Sequence, residues 1–128
     1  MEKVYLALLS GEIEGEGRID TALKKTSSAA AGWRMTVDPA GKPAQTDWRA
    51  LRPHAAGTLV EFRPHTGRTH QIRIHAAHAL APIAGDPVYG EHGGQDGGRM
   101  RLHAARIAFL WRGGRRVEVE APLPDWAR

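Results

Sequence analysis

Short runs in which every second residue is apolar recur along this chain, separated by stretches of glycine, alanine and charge. The first covers residues 3–9. There Val4, Leu6 and Leu8 fall on one side of an extended chain, and Tyr5 and Ala7 on the other, which predicts a strand. A Gly/Glu-rich connection follows over residues 10–17. Residues 19–31 are ambiguous and become small and polar. Residues 37–43 read as a turn region, punctuated by Asp-Pro and Gly-Lys-Pro. Residues 44–51 fit a strand. Residues 58–63 fit one better, through Leu59-Val60-Glu61-Phe62.

After Thr66-Gly67 the period changes. A helix is expected to start at Thr69 or His70, with Thr69 as its N-cap, and to reach about Leu80. At about 100° per residue, Ile72, Ala76, Ala79, Leu80 and Ile83 share one arc, with Arg73 at its border. Pro82 ends the helix. Residues 84–98 form a glycine-rich loop. Residues 102–111 and 117–121 suit the arms of a hairpin turning at Arg112-Gly113-Gly114-Arg115, with Val117 and Val119 inward and Glu118 and Glu120 outward. The sum is a single α+β domain over residues 1–128, with a mixed, mostly antiparallel sheet and few helices.

Hydrophobic residues make up 41% of the 128-residue chain, enough for a core, although many are alanines. No run approaches the roughly 18 apolar residues of a membrane span. The short apolar run after Glu2 is not laid out as a secretory signal, so the expected location is cytoplasmic. With no cysteine, disulfides and thiolate metal sites are excluded.

Net charge is +4, and its distribution matters more than its size. Acids gather early (Glu12, Glu14, Glu16) and late (Glu118, Glu120, Asp125). Between Arg49 and His78 there are five arginines against one acid, Glu61. A local basic patch of this kind suits a polyanion such as RNA. The densest part runs from Arg63 through Thr66, Gly67, Arg68, His70, Gln71 and Arg73 to His75, interleaved with Ile72 and Ile74. It reads as a basic site supported by packed structure. His70 and Gln71 suit either RNA contact or holding of the helix start. His70, His75 and His78 lack the i, i+4 spacing of a helical metal pair, and no metal or other cofactor is expected.

Several blocks together resemble the RluA-type RNA pseudouridine synthases. Lys3-Val4-Tyr5-Leu6 resembles that family's Lys-x-Tyr strand. Thr66 to His75 resembles its long signature, and Gly85-Asp86-Pro87-Val88-Tyr89-Gly90 follows at the family spacing. Leu102-His103-Ala104 and Ala121-Pro122-Leu123-Pro124 match its closing strands. The match spans nearly the whole chain but only the C-terminal part of the family's catalytic domain. The resemblance implies conversion of uridine to pseudouridine in ribosomal or transfer RNA, without cofactor or metal. It implies that Tyr5 packs against the target base and that Arg73 pairs with a nucleophilic aspartate. Arg63, Thr66, Gly67, Arg68, His70 and Gln71 are the expected RNA contacts. The family's aspartate lies in a His-Arg-Leu-Asp type motif ahead of the Lys-x-Tyr strand. None of Asp20, Asp38, Asp47, Asp86, Asp96 or Asp125 sits in such a motif, and Asp86 reads as loop-structural. The expectation is therefore an enzyme part inactive alone, with the aspartate on a missing N-terminal segment or a second chain. The alternatives are a non-catalytic RNA-binding module or a decayed fragment.

Overall fold

In the computed structural model, which describes residues 2–28, 32–90, 99–110 and 112–128, the first strand lies inside the sheet rather than at its edge. Strand β1 (Glu2–Leu9) has an apolar residue at nearly every position from Val4 on, as a strand covered on both faces requires. It pairs antiparallel with β6 (Gly57–Pro64) on one side and β7 (Leu102–Leu110) on the other. Strand β5 (Gln45–His54) continues the sheet beyond β6, and β2 (Glu16–Asp20) closes that end. Strand β8 (Arg116–Glu120) closes the other. The order is β2-β5-β6-β1-β7-β8, antiparallel throughout.

One face of the sheet carries Ala7, Leu9, Val60 and Phe62, which pack under Ile72 and Ala76 of helix α1 (Gln71–Ala79), the one α-helix among the described residues. The opposite face carries Leu6 and Leu59 under Ala127 and Trp126 of the C-terminal turn. Residues 19–31, ambiguous in sequence, divide between the end of β2 and β3 (Leu23–Ser28). The latter forms a separate two-stranded sheet with β4 (Gly32–Val37). This small hairpin covers the second side of α1, where Leu23, Met35, Ala44 and Tyr89 meet Ile74 and Ala77.

Helix α1 is therefore clad on two sides, and its apolar residues do not form the one expected stripe. Ala79, expected on the buried arc, is exposed. The start differs too. His70, not Thr69, occupies the N-cap, in the left-handed region at φ 55, and no side chain caps the first turn. The hairpin of β7 and β8 forms as expected, with Gly113 and Gly114 both at positive φ. Its inward face stays open, however: Val119 is 55% exposed, because nothing described packs against it. Parts of the glycine-rich loop (91–98), of the polar stretch (29–31) and Trp111 lie outside the described residues.

Candidate active site

Tyr5 stands where β1 meets a bulge. Opposite Val4 is Arg106 and opposite Tyr5 is Ala104, so Ala105 of β7 has no facing partner. A bulge bends and twists a strand locally and re-aims the side chain beside it. Tyr5 shares its face with Phe62, its partner across β6, and looks toward the start of α1. The gap between them is a cavity of about 260 Å³, whose lining includes Lys3, Tyr5, Thr66, Gly67, Arg68, His70, Gln71, Arg73 and Leu102. This is at the small end of ligand pockets, which run from about 300 to 1,000 Å³, and suits one flat group better than an extended molecule.

Arg73 forms one wall of the cavity and is nearly buried. Its Nε and Nη2 donate to Oδ2 and Oδ1 of Asp86 at 3.0 and 2.8 Å, a planar two-pronged bond. Asp86 is 1% exposed. Its Oδ1 also accepts the backbone N–H groups of Val88 and Tyr89 at 2.9 and 3.0 Å. Burial pushes the Asp86 carboxyl up. The Arg73 fork and the two amides outweigh that and hold it below the ordinary carboxylate range. Asp86 is thus loop-structural, as expected, and also the partner of Arg73, which its sequence context did not reveal. Just before it, Gly85 (φ 80) lies against the Arg99 carbonyl, where a Cβ would sit 2.5 Å from that oxygen. Only glycine permits this approach, and it fixes where Asp86 enters the site.

Thr66 and Gln71 are consumed internally. The Thr66 hydroxyl donates to Gln71 Oε1 at 2.7 Å and accepts the Gln45 N–H at 3.1 Å. Gln71 Oε1 also accepts the Arg68 N–H at 3.0 Å, while its Nε2 donates to the Gln45 carbonyl and to Thr46 Oγ1, both at 2.9 Å. The Gln71 amide ties the 66–68 turn to β5. Beneath it, Thr46 Oγ1 donates to Nδ1 of the fully buried His75, whose Nε2–H donates to the Thr21 carbonyl. Both ring nitrogens of His75 are engaged, and burial lowers its pKa against the opposing pull of the Thr21 carbonyl.

His70 has a different environment. Its ring stacks on Trp33 with centroids 5.1 Å apart and meets Tyr89 edge-on. Burial and the nearby Arg73 charge lower its pKa, Asp86 acting in the other direction, so the neutral ring is favoured. Tyr89 Oη accepts the Met35 N–H and lies 3.0 Å from His70 Nδ1. This network assigns the Tyr89 proton to the bond with Nδ1 and leaves the His70 proton on Nε2. His70 is the one non-glycine residue with positive φ among the described residues. A backbone held in that region costs on the order of 1–3 kcal/mol, offset by the stack and the Tyr89 bond.

Arg68 reaches the cavity, with Nε donating to the Pro43 carbonyl at 2.9 Å. Arg63 does not. It follows Phe62 on β6 and projects from the opposite face of the sheet, where its Nε bonds Glu61 at 2.9 Å. His65 shares that face, bonded to Asp47 at 2.6 Å; bonds from Arg18 and His65 hold the Asp47 carboxyl down to about 2. Tyr5, Thr66, Gly67, Arg68, His70, Gln71 and Arg73 therefore come together, and Arg63 stands apart. Trp33 and Tyr89 were missed in sequence. Trp33 alternates with Met35 and Val37 along β4, a strand signal that was not read, and its stacking on His70 places it at the site.

The family model described as RNA pseudouridylate synthase matches residues 1–78. An uncharacterized RNA pseudouridine synthase of Zymomonas mobilis is 46% identical over 97% of this chain, which covers 58% of that protein. Ribosomal large subunit pseudouridine synthase D of Neisseria meningitidis is 36% identical over 98% of the chain, covering 36% of its own length. Among solved structures, Human RNA Pseudouridylate Synthase Domain Containing 1 superposes with a TM-score of 0.84 at 35% identity, over 96% of this chain and 55% of that one. The chain thus spans little more than half of such relatives at most. The family match falls on the strand of Tyr5 and on the turn and helix carrying Arg68 and Arg73, and the chain belongs to the RluA-type RNA pseudouridine synthases.

Proposed function

We propose that this chain supplies the base-holding half of an enzyme that converts uridine to pseudouridine in ribosomal or transfer RNA in the cytoplasm. The carrying observation is the convergence of Tyr5 and Arg73 on one small cavity that Arg68 also lines. Extruding a nucleotide from RNA costs stacking energy, and a pocket recovers it by packing an aromatic ring against the base. Tyr5, aimed by the bulge, provides that ring. Arg68, in the same lining, is suited to the phosphate of the extruded nucleotide.

Arg73 would steady the nucleophilic aspartate. Asp86 takes its Nε and Nη2, which leaves Nη1 without a partner among the described residues. One free guanidinium edge can hold a second carboxylate by a charge-assisted bond. The first carboxylate fixes the plane of the fork, so the second is met by an arginine already in position. That aspartate would come from a segment or chain beyond these residues, and this polypeptide alone would be inactive.

The test is pseudouridine formation in ribosomal and transfer RNA, assayed with the chain alone and with a form extended by an aspartate-motif segment of the family. Turnover is expected only in the extended form, and is expected to disappear with Arg73→Ala. An extended, folded form that modifies none of these RNAs, yet binds them, would favour the non-catalytic RNA-binding reading.

A further inference from the structure

A second cleft, of about 500 Å³, opens on the other side of the 66–68 turn, between that turn and the β3–β4 hairpin. Lys24, Lys25, Lys42 and Arg68 line it, and among the described residues no carboxylate does. Among the described residues none of these four cations enters a salt bridge. Some cations elsewhere on the surface are paired: Arg18 with Asp47, Arg106 and Arg116 with Glu118. Unpaired cations around a concave surface leave a positive potential that an anionic partner can use.

The two clefts share Gly67 and Arg68. Gly67 is exposed, has no positive φ, and a Cβ added to it would meet nothing within 4 Å. Neither its backbone nor its neighbours account for a glycine. A remaining use for glycine is close approach of a ligand to the backbone. Beside this ridge the Lys25 ammonium lies 4.5 Å from the centroid of Trp33, a ring 45% exposed and stacked on His70.

Resting on the RNA reading above, we propose that the RNA strand crosses the protein at Gly67. Its target base enters the Tyr5 cavity, and the phosphates of the flanking nucleotides run into the Lys24/Lys25/Lys42 cleft. Arg68 serves the phosphate at the crossing. The β3–β4 hairpin is then an RNA-holding arm as well as a cover for α1.

The experiment is fluorescence anisotropy of a short, labelled, uridine-containing single-stranded RNA with the full chain across a salt series. The Lys24→Ala/Lys25→Ala/Lys42→Ala variant is expected to reduce the log–log salt slope by roughly 0.7 for each phosphate it no longer neutralises. Arg115→Ala, on the β7–β8 turn, is expected to leave it unchanged. Gly67→Val is expected to weaken binding at least tenfold with circular dichroism and melting temperature preserved. If the wild-type chain binds with a steep slope but the lysine variant keeps it, the cleft assignment is overturned and the RNA reading stands. Full affinity in a folded Gly67→Val variant overturns the crossing. Absence of any salt-sensitive binding by the wild-type chain overturns both.

Discussion

Arg73 and Asp86 join the helix to the loop that follows it through two parallel bonds, with almost no solvent at the carboxylate. The pair is costly to bury and costlier to break, since removing either member strands the other charge. Asp86→Ala should destabilise the fold by about 3–5 kcal/mol. The double variant with Arg73→Ala should lose less than the sum of the two single changes. Thermal and denaturant melts of the four proteins measure this coupling.

Gln71→Ala removes the amide that ties the 66–68 turn to β5. The turn's Arg68 N–H and Thr66 hydroxyl then lose the acceptor they share in a part-buried setting. Each such loss is worth about 1–3 kcal/mol when the group cannot reach water. A clear drop in melting temperature is expected. Amide exchange should quicken at residues 66–70 more than in β1 or β6.

Stability should fall as the solution is acidified through the histidine range. The folded pKa of His75 lies below its ordinary value of 6.5. Between the two values the unfolded chain binds the proton and the folded chain does not, so stability rises with pH there. The contribution is fully present above pH 6.5 and is lost as pH falls through the lowered folded value. A Gln at position 75 cannot titrate. Melting temperatures of His75→Gln measured from about pH 7.5 to about pH 5 should therefore show a flatter dependence than wild type, whatever the variant's overall loss.

Trp33→Ala should raise the pKa of His70 toward the ordinary imidazole value, because the stacked ring contributes to the burial that lowers it. Proton NMR titration of the ring reads this directly. An unchanged midpoint would mean that the stack does not shield His70 in solution.

Much of the central sheet was legible because its strands alternate or run apolar over several positions: Val4 to Leu9, and Leu59 to Phe62. The helix was legible in extent but not in orientation. Single-stripe reasoning placed Ala79 inside, since nothing in the spacing showed that a second layer would bury Ile74 as well. That layer, β3 and β4, was half legible: Lys24 to Ser28 has no apolar alternation, while Trp33, Met35 and Val37 alternate on β4 and went unread; it is held by Leu23 and Met35 at one end. Val119 was placed inward by a pattern that assumes a cover. At the site, Tyr5, Arg68 and Arg73 were legible through family resemblance. The Arg73–Asp86 bond was not, because Asp86 is separated from Arg73 by the rest of the helix and a turn. Arg63 was grouped with Arg68 by nearness in sequence, but the chain turns over between them.

The interior position of β1 also bears on how the molecule comes to be folded. β1 leaves the ribosome ahead of both neighbours, one from the middle of the chain and one from near its end. A strand that must wait for distant partners makes folding slow, and its apolar edges stay open to other chains meanwhile. The ring that would meet the RNA base is therefore carried by a segment that is synthesised early and completed late. Codon choice after β6, or a chaperone that shields Val4 to Leu9, would influence the yield of working protein without touching any residue of the site.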